Sequence, residues 1–85
     1  MQNFSFVCLD LETTGLEESA EIIEVGMVKV VDGEIVERFD QLVQPTRPIP
    51  EAITLLTGID DDMVHDKPFW EDVEQAVIDF IGDHL

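Results

Sequence analysis

The chain opens on a nearly unbroken apolar run, Phe4-Ser5-Phe6-Val7-Cys8-Leu9-Asp10-Leu11. Apolar side chains fall on both parities, the pattern of a strand covered on both faces. Thr13-Thr14-Gly15 ends it. Residues 22–31 are rich in branched side chains and predict a second strand. Asp32-Gly33 is a two-residue hairpin signal. A third strand follows over about residues 34–43. It carries Glu34, Glu37, Arg38 and Asp40, as a partly exposed or edge strand would. Pro45, Pro48 and Pro50 stop the sheet pattern. Pro50 suits the first position of a short helix through Leu56, and Gly58 suits its exit. Asp60, Asp61 and Asp62 can cap a brief turn. Beyond Pro68, the residues Trp70, Val73, Ala76, Val77, Phe80 and Ile81 recur at helical spacing. They predict an amphipathic helix over about residues 69–81, which Gly82 ends. The expected class is α+β: three antiparallel strands, then helices, with no internal repeat.

Composition adds constraints. With 85 residues the chain is one domain or part of one, and its core is thin, with a margin of a few kcal/mol. Apolar residues make up 45%, enough for a globular fold despite the charge. Twenty acids face only Lys29, Arg38, Arg47 and Lys67, for a net charge of -16. That excludes a basic patch tracking phosphates as the main binding device. A nucleic-acid role would need cations to mediate it, or basic surface from elsewhere. Cys8 is the single cysteine, so an internal disulfide and a Cys-based zinc cluster are excluded. Its apolar setting predicts a reduced, buried core thiol and fits a reducing cytoplasm. No apolar run approaches the ~18 residues of a membrane span. Met1-Gln2-Asn3 offers no basic start to a signal peptide.

The candidate chemistry lies where the first strand ends. Asp10 and Glu12 are two apart and point to one face, which they share with Phe4, Phe6 and Cys8. Two carboxylates at the mouth of a buried strand repel each other and lose hydration. A divalent cation such as Mg²⁺ or Mn²⁺ would satisfy both. The plainer alternative is a strand that simply emerges into water there.

The longer strings bear on that choice. Phe6-Val7-Cys8-Leu9-Asp10-Leu11-Glu12-Thr13-Thr14-Gly15-Leu16 resembles the first motif of the DEDD (DnaQ-like) 3′-5′ exonucleases. Ile22-Ile23-Glu24-Val25-Gly26 is similar to that family's second strand. Gln44-Pro45, Ile49-Pro50 and Leu56-Thr57-Gly58-Ile59 are similar to its downstream signature, in order and in register. The resemblance implies a ribonuclease-H-like fold, a mixed five-stranded sheet that opens with three antiparallel strands. It implies phosphodiester hydrolysis at a DNA 3′ end with two divalent cations, Mg²⁺ or Mn²⁺. Asp10 and Glu12 match the first two metal-binding, catalytic carboxylates. Thr13 and Thr14 match positions contacting the terminal nucleotide through backbone amide or hydroxyl. Leu56 and Thr57 match a segment lining its base and sugar, or else they end a helix that packs on the core.

The family's other two acids and its general-base histidine have no match. The expected continuation beyond Leu85 is a strand leading to a His-Asn…Phe-Asp motif. The chain thus reads as the N-terminal portion of an exonuclease domain over residues 1–85, truncated before the remaining strands and inactive by itself. His65 reads as a solvated loop residue, His84 as frayed, Asp79 and Asp83 as ordinary exposed helix acids. Glu24 lies in a matching string, but alternation leaves its face open. The implied partners are a single-stranded DNA 3′ end and a polymerase or helicase, with no membrane; the open strand edge would permit self-association. Three alternatives remain: an RNA-trimming relative, a non-catalytic module whose acidity suits a basic protein, and an unrelated acidic α+β domain.

Overall fold

The computed structural model describes residues 4–82. Three strands come first: β1 (Ser5–Thr13), β2 (Ile22–Val31) and β3 (Glu34–Leu42). They form one antiparallel sheet in the order β1-β2-β3. Asp32 and Gly33 join β2 to β3 with φ of 53° and 82°. Positive φ at both central positions is what a tight hairpin needs to match strand twist. Three helices follow: α1 (Glu51–Thr57), α2 (Asp61–Val64) and α3 (Trp70–Ile81). The strands, α1 and α3 lie within two residues of their expected bounds, and α2 is a short helix where a brief turn was expected.

The helix ends follow from local chemistry. Pro50 stands at the N-cap of α1, one place before its expected position. Gly58, at φ 80°, closes α1 in the left-handed region and donates its N–H to the Thr54 carbonyl. Asp60 caps α2, accepting the Met63 N–H at 3.0 Å.

β2 is the spine of the fold. Ile23, Val25 and Met27 are buried, and the residues between them are not. Val25 and Met27 pack against Val43 and against Val73 and Val77 of α3. Phe80 extends that contact. Its ring stands 5.7 Å from that of Phe39, and the Lys29 ammonium sits 4.8 Å above it. Ile23 belongs to a second cluster with Ile49, Ile59 and Val64, which seats α1 and α2 at the other end of the strand.

β1 departs from expectation. The sequence predicts a strand covered on both faces, yet Phe6, Leu9 and Leu11 are exposed, with only Val7 packed against the core. Cys8 is exposed too, not a buried thiol. Among the described residues β1 pairs with β2 alone, so one edge has no neighbour. α3 covers one face of the sheet and leaves the other open. The Cα radius of gyration, 14.6 Å, exceeds the about 12 Å of a compact chain this long, and the molecule is elongated at 47 × 24 × 23 Å.

Val73 is 3% exposed at the centre of the α3 contact. Val73→Asp should therefore abolish cooperative thermal unfolding, since an unpaired buried charge exceeds the margin of so small a core. Exposed Glu74→Ala, one residue on, should change stability by less than about 0.5 kcal/mol.

Candidate active site

The sheet register builds the site. Asp10 pairs with Gly26, and Gly26 with Asp40. Glu12 pairs with Glu24, and Glu24 with Leu42. Residues directly opposite share a face, and so do residues two apart. Asp10, Glu12, Glu24 and Asp40 therefore stand together on the face that α3 leaves open. Gly26 puts no side chain between Asp10 and Asp40, and a groove lined by Cys8, Asp10, Gly26, Arg38 and Asp40 runs there.

Asp10 is exposed and Glu12 half-buried, so Asp10 keeps the hydration it was expected to lose. The electrostatic crowding falls on Glu24. A hydrogen bond to Asp40 raises its pKa first, then burial, then repulsion from Asp40, Glu12 and Asp10. The result is a rise from 4.5 to about 7. Near neutral pH Glu24 is therefore partly protonated, and the row carries less negative charge than its four carboxyls suggest. Sequence reasoning left Glu24 unplaced and treated Asp40 as an edge-strand charge.

The oxygen-only donor set fits a hard divalent cation. Asp10 and Glu12 would supply only part of a coordination shell. Among the described residues no three His, Cys, Asp or Glu side chains cluster tightly enough to hold a metal ion.

Thr13 ends β1 and Thr14 opens the β1–β2 connection. A bulge separates Glu12 from Thr13, which re-aims the chain beyond the acids. The Thr13 hydroxyl donates to the Gly15 carbonyl at 2.7 Å. Thr14 is buried. Its N–H donates to the Glu21 carbonyl and its hydroxyl accepts the Glu21 N–H, both at 2.9 Å. Leu56 is 81% exposed, so it does not pack on the core. The Thr57 hydroxyl donates to the Ile53 carbonyl at 2.8 Å and accepts the Ile59 N–H at 3.1 Å. Thr57 also borders a cleft of about 490 Å³ with Glu24, Asp40, Met63 and Lys67. The structure thus brings Thr57 to the acid row's neighbourhood, while its hydroxyl serves the helix end.

The other titratable candidates lie elsewhere. His65 is exposed, at the end of α2, 3.3 Å from the Asp62 carbonyl. Asp79 accepts from Gln75 on the outer side of α3. Asp83 and His84 lie outside the described residues. Asp61 has a role beyond capping, accepting the Ile49 N–H at 2.9 Å. Among the described residues no helix is long and apolar enough to cross a membrane.

An antiparallel three-stranded sheet, with a carboxylate pair at the end of its first strand and helices after it, defines a class. The chain belongs to the exonuclease family of the RNase_T type, whose model matches residues 7–85. It is 47% identical over 76 residues to the PolC-type DNA polymerase III of Caldanaerobacter subterraneus subsp. tengcongensis, covering 88% of this chain and 5% of that protein. It is 42% identical over 82 residues to the DNA polymerase III subunit epsilon of Aquifex aeolicus, covering 95% and 41% respectively. Among solved structures, Exonuclease X in complex with 5′ overhanging duplex DNA superposes with a TM-score of 0.77 at 39% identity, over 85% of this chain and 42% of that one. The nuclease domain of 3′hExo, a DEDDh family member bound to rAMP, superposes at 0.78 with 29% identity, over 89% and 42%. The chain thus spans less than half of each of these relatives. The fold is the opening portion of the ribonuclease-H-like exonuclease fold, and the family generally depends on divalent metal.

The raised pKa of Glu24 links stability to pH. The folded chain binds this proton more tightly than the unfolded chain, so the stabilisation is full below about pH 4.5 and is lost as pH rises through about 7. Without metal, the thermal midpoint should fall between about pH 6 and pH 8, and Glu24→Gln should flatten that slope. An equal slope in the variant would contradict the assignment.

Proposed function

We propose that the chain contributes the metal-binding portion of a 3′-5′ exodeoxyribonuclease that hydrolyses phosphodiester bonds at single-stranded DNA 3′ ends. The observation that carries this reading is the placement of Asp10 and Glu12 on the open face, beside Glu24 and Asp40. Such a row calls for cations. Asp10 and Glu12 would hold the divalent metal, Mg²⁺ or Mn²⁺, which when bound supplies Lewis-acid activation of water and neutralises phosphate charge. The metal would also neutralise charge locally at the acid row, on a chain whose net charge of -16 otherwise repels a polyanion.

Thr13 and Thr14 would present the β1–β2 loop to the terminal nucleotide. Exposed Leu56, next to Thr57 in α1, would offer an apolar contact to the terminal base. Identity favours DNA over RNA as substrate: it is 42–47% with the DNA polymerase III relatives and 29% with the 3′hExo domain bound to rAMP. The same relatives favour a DNA polymerase, rather than a helicase, as the partner.

Among the described residues no histidine lies beside the acids; His65 borders a different cleft, with Pro45, Arg47 and Asp61. Assayed alone, these 85 residues should bind metal without turnover. In the active protein, release of label from a 3′-labelled oligonucleotide should require Mg²⁺ or Mn²⁺. Asp10→Asn or Glu12→Gln should lower that rate by several orders of magnitude while thermal stability holds or rises. Unchanged rates in both variants would refute the site.

A further inference from the structure

The loop that carries Thr14 is tied at its far end to the segment that leads into α1. Thr14 and Glu21 close the loop base through their two 2.9 Å backbone and hydroxyl bonds. The Glu21 side chain reaches the segment beyond β3. Its carboxylate oxygens accept the Thr46 N–H at 3.0 and 3.1 Å, and the Thr46 hydroxyl donates to it at 2.7 Å. Arg47 Nε lies 3.8 Å from the same carboxylate, and the Arg47 guanidinium donates to the Ser19 carbonyl inside the loop. Loop and segment face each other across a small cavity, about 120 Å³, lined by Thr14, Glu17, Glu21, Arg47, Pro48 and Pro50. Pro50 is the N-cap of α1, the helix that carries Leu56 and Thr57.

We propose that Glu21 is a positioning residue, whose carboxylate clasps Thr46 and so fixes the spacing between the Thr13-Thr14 loop and α1. This rests on the reading of those two elements as the walls of the terminal-nucleotide subsite. In this role Glu21 acts by holding both walls rather than by binding metal or nucleotide itself. The Thr46 bonds carry the clasp, because charge-assisted hydrogen bonds of this length are strong. The Thr46 bonds are exposed, as the Arg47 contact is, but Arg47 Nε stands at 3.8 Å and so adds less. Glutamine at this position keeps an acceptor for both Thr46 donors, and alanine keeps none.

The test titrates the isotope-labelled chain with a deoxynucleoside 5′-monophosphate in Mg²⁺, following amide shifts of Thr13, Thr14, Leu56 and Thr57, with Mg²⁺ affinity measured separately. Glu21→Ala should weaken nucleotide binding about tenfold or more, the worth of hydrogen bonds to a charged group. Its Mg²⁺ affinity should match the unsubstituted chain, whereas general loss of structure would lower both. Glu21→Gln should restore binding to within about threefold, and Arg47→Ala should change it less than that. If Glu21→Ala does not unfold cooperatively, Thr46→Val, which deletes one donor, should still weaken nucleotide binding and spare Mg²⁺. Nucleotide affinity unaltered in Glu21→Ala, or in Thr46→Val where that variant stands in, would overturn the clasp and leave the subsite intact. Absence of shifts at all four amides in the unsubstituted chain would overturn the subsite itself, and the clasp with it.

Discussion

Strand register is the constraint on which the candidate site depends. Ile23, Val25 and Met27 must face the helices, because β2 supplies most of the sheet's buried side chains. Their burial commits Glu24 and Gly26 to the side away from α3. Once β2 is fixed, its partners follow: Asp10 and Asp40 flank Gly26, and Glu12 lies opposite Glu24. A slip of one residue would turn each strand's acids into the core face. The same packing that stabilises this small fold therefore aims its carboxylates at the surface.

The hairpin shows how finely that aim is set. Counting back from the Asp32-Gly33 turn with no irregularity pairs Asp40 with Val25, on the helix-covered face. The structure instead has a bulge in β3: Lys29 pairs with Glu37 and Val30 with Ile35, so Val36 has no opposite residue. The extra residue moves Asp40 across from Gly26 and onto the acid face. Asp40 was legible as a charge in the sequence but not as a member of the row. No local signal marks Val36 as a bulge, since branched residues suit regular strands equally well. Glu24 was hidden for a related reason. The β1–β2 connection is too long for turn geometry to set register, so only the folded sheet brings Glu24 opposite Glu12.

Other features were legible because local chemistry decides them. The Asp-Gly turn, the Gly58 exit, the Asp60 cap and the α3 face each rest on neighbours within a few residues. The covering of β1 is not such a feature. Its apolar pattern describes a strand with neighbours on both sides, and the described residues supply one. That mismatch explains why exposed Phe6, Leu9, Leu11 and Cys8 depart from the reading of their own string. Glu21 was missed because its significance lies in reaching Thr46, twenty-five positions away. Its carboxyl shows that engagement. Burial raises its pKa, and the Thr46 hydrogen bonds and the Arg47 charge more than offset this, leaving it below the usual value.

The acid row on the open face is the candidate site for divalent metal. Titration of the isotope-labelled chain with Mn²⁺ at sub-stoichiometric levels tests it directly, because the ion broadens amides near where it binds. The account predicts broadening centred on Asp10, Glu12 and the facing residues of β2, and its loss from that region in Asp10→Asn. Broadening centred instead on Asp60, Asp61 and Asp62, or spread evenly over the acidic surface, would contradict it.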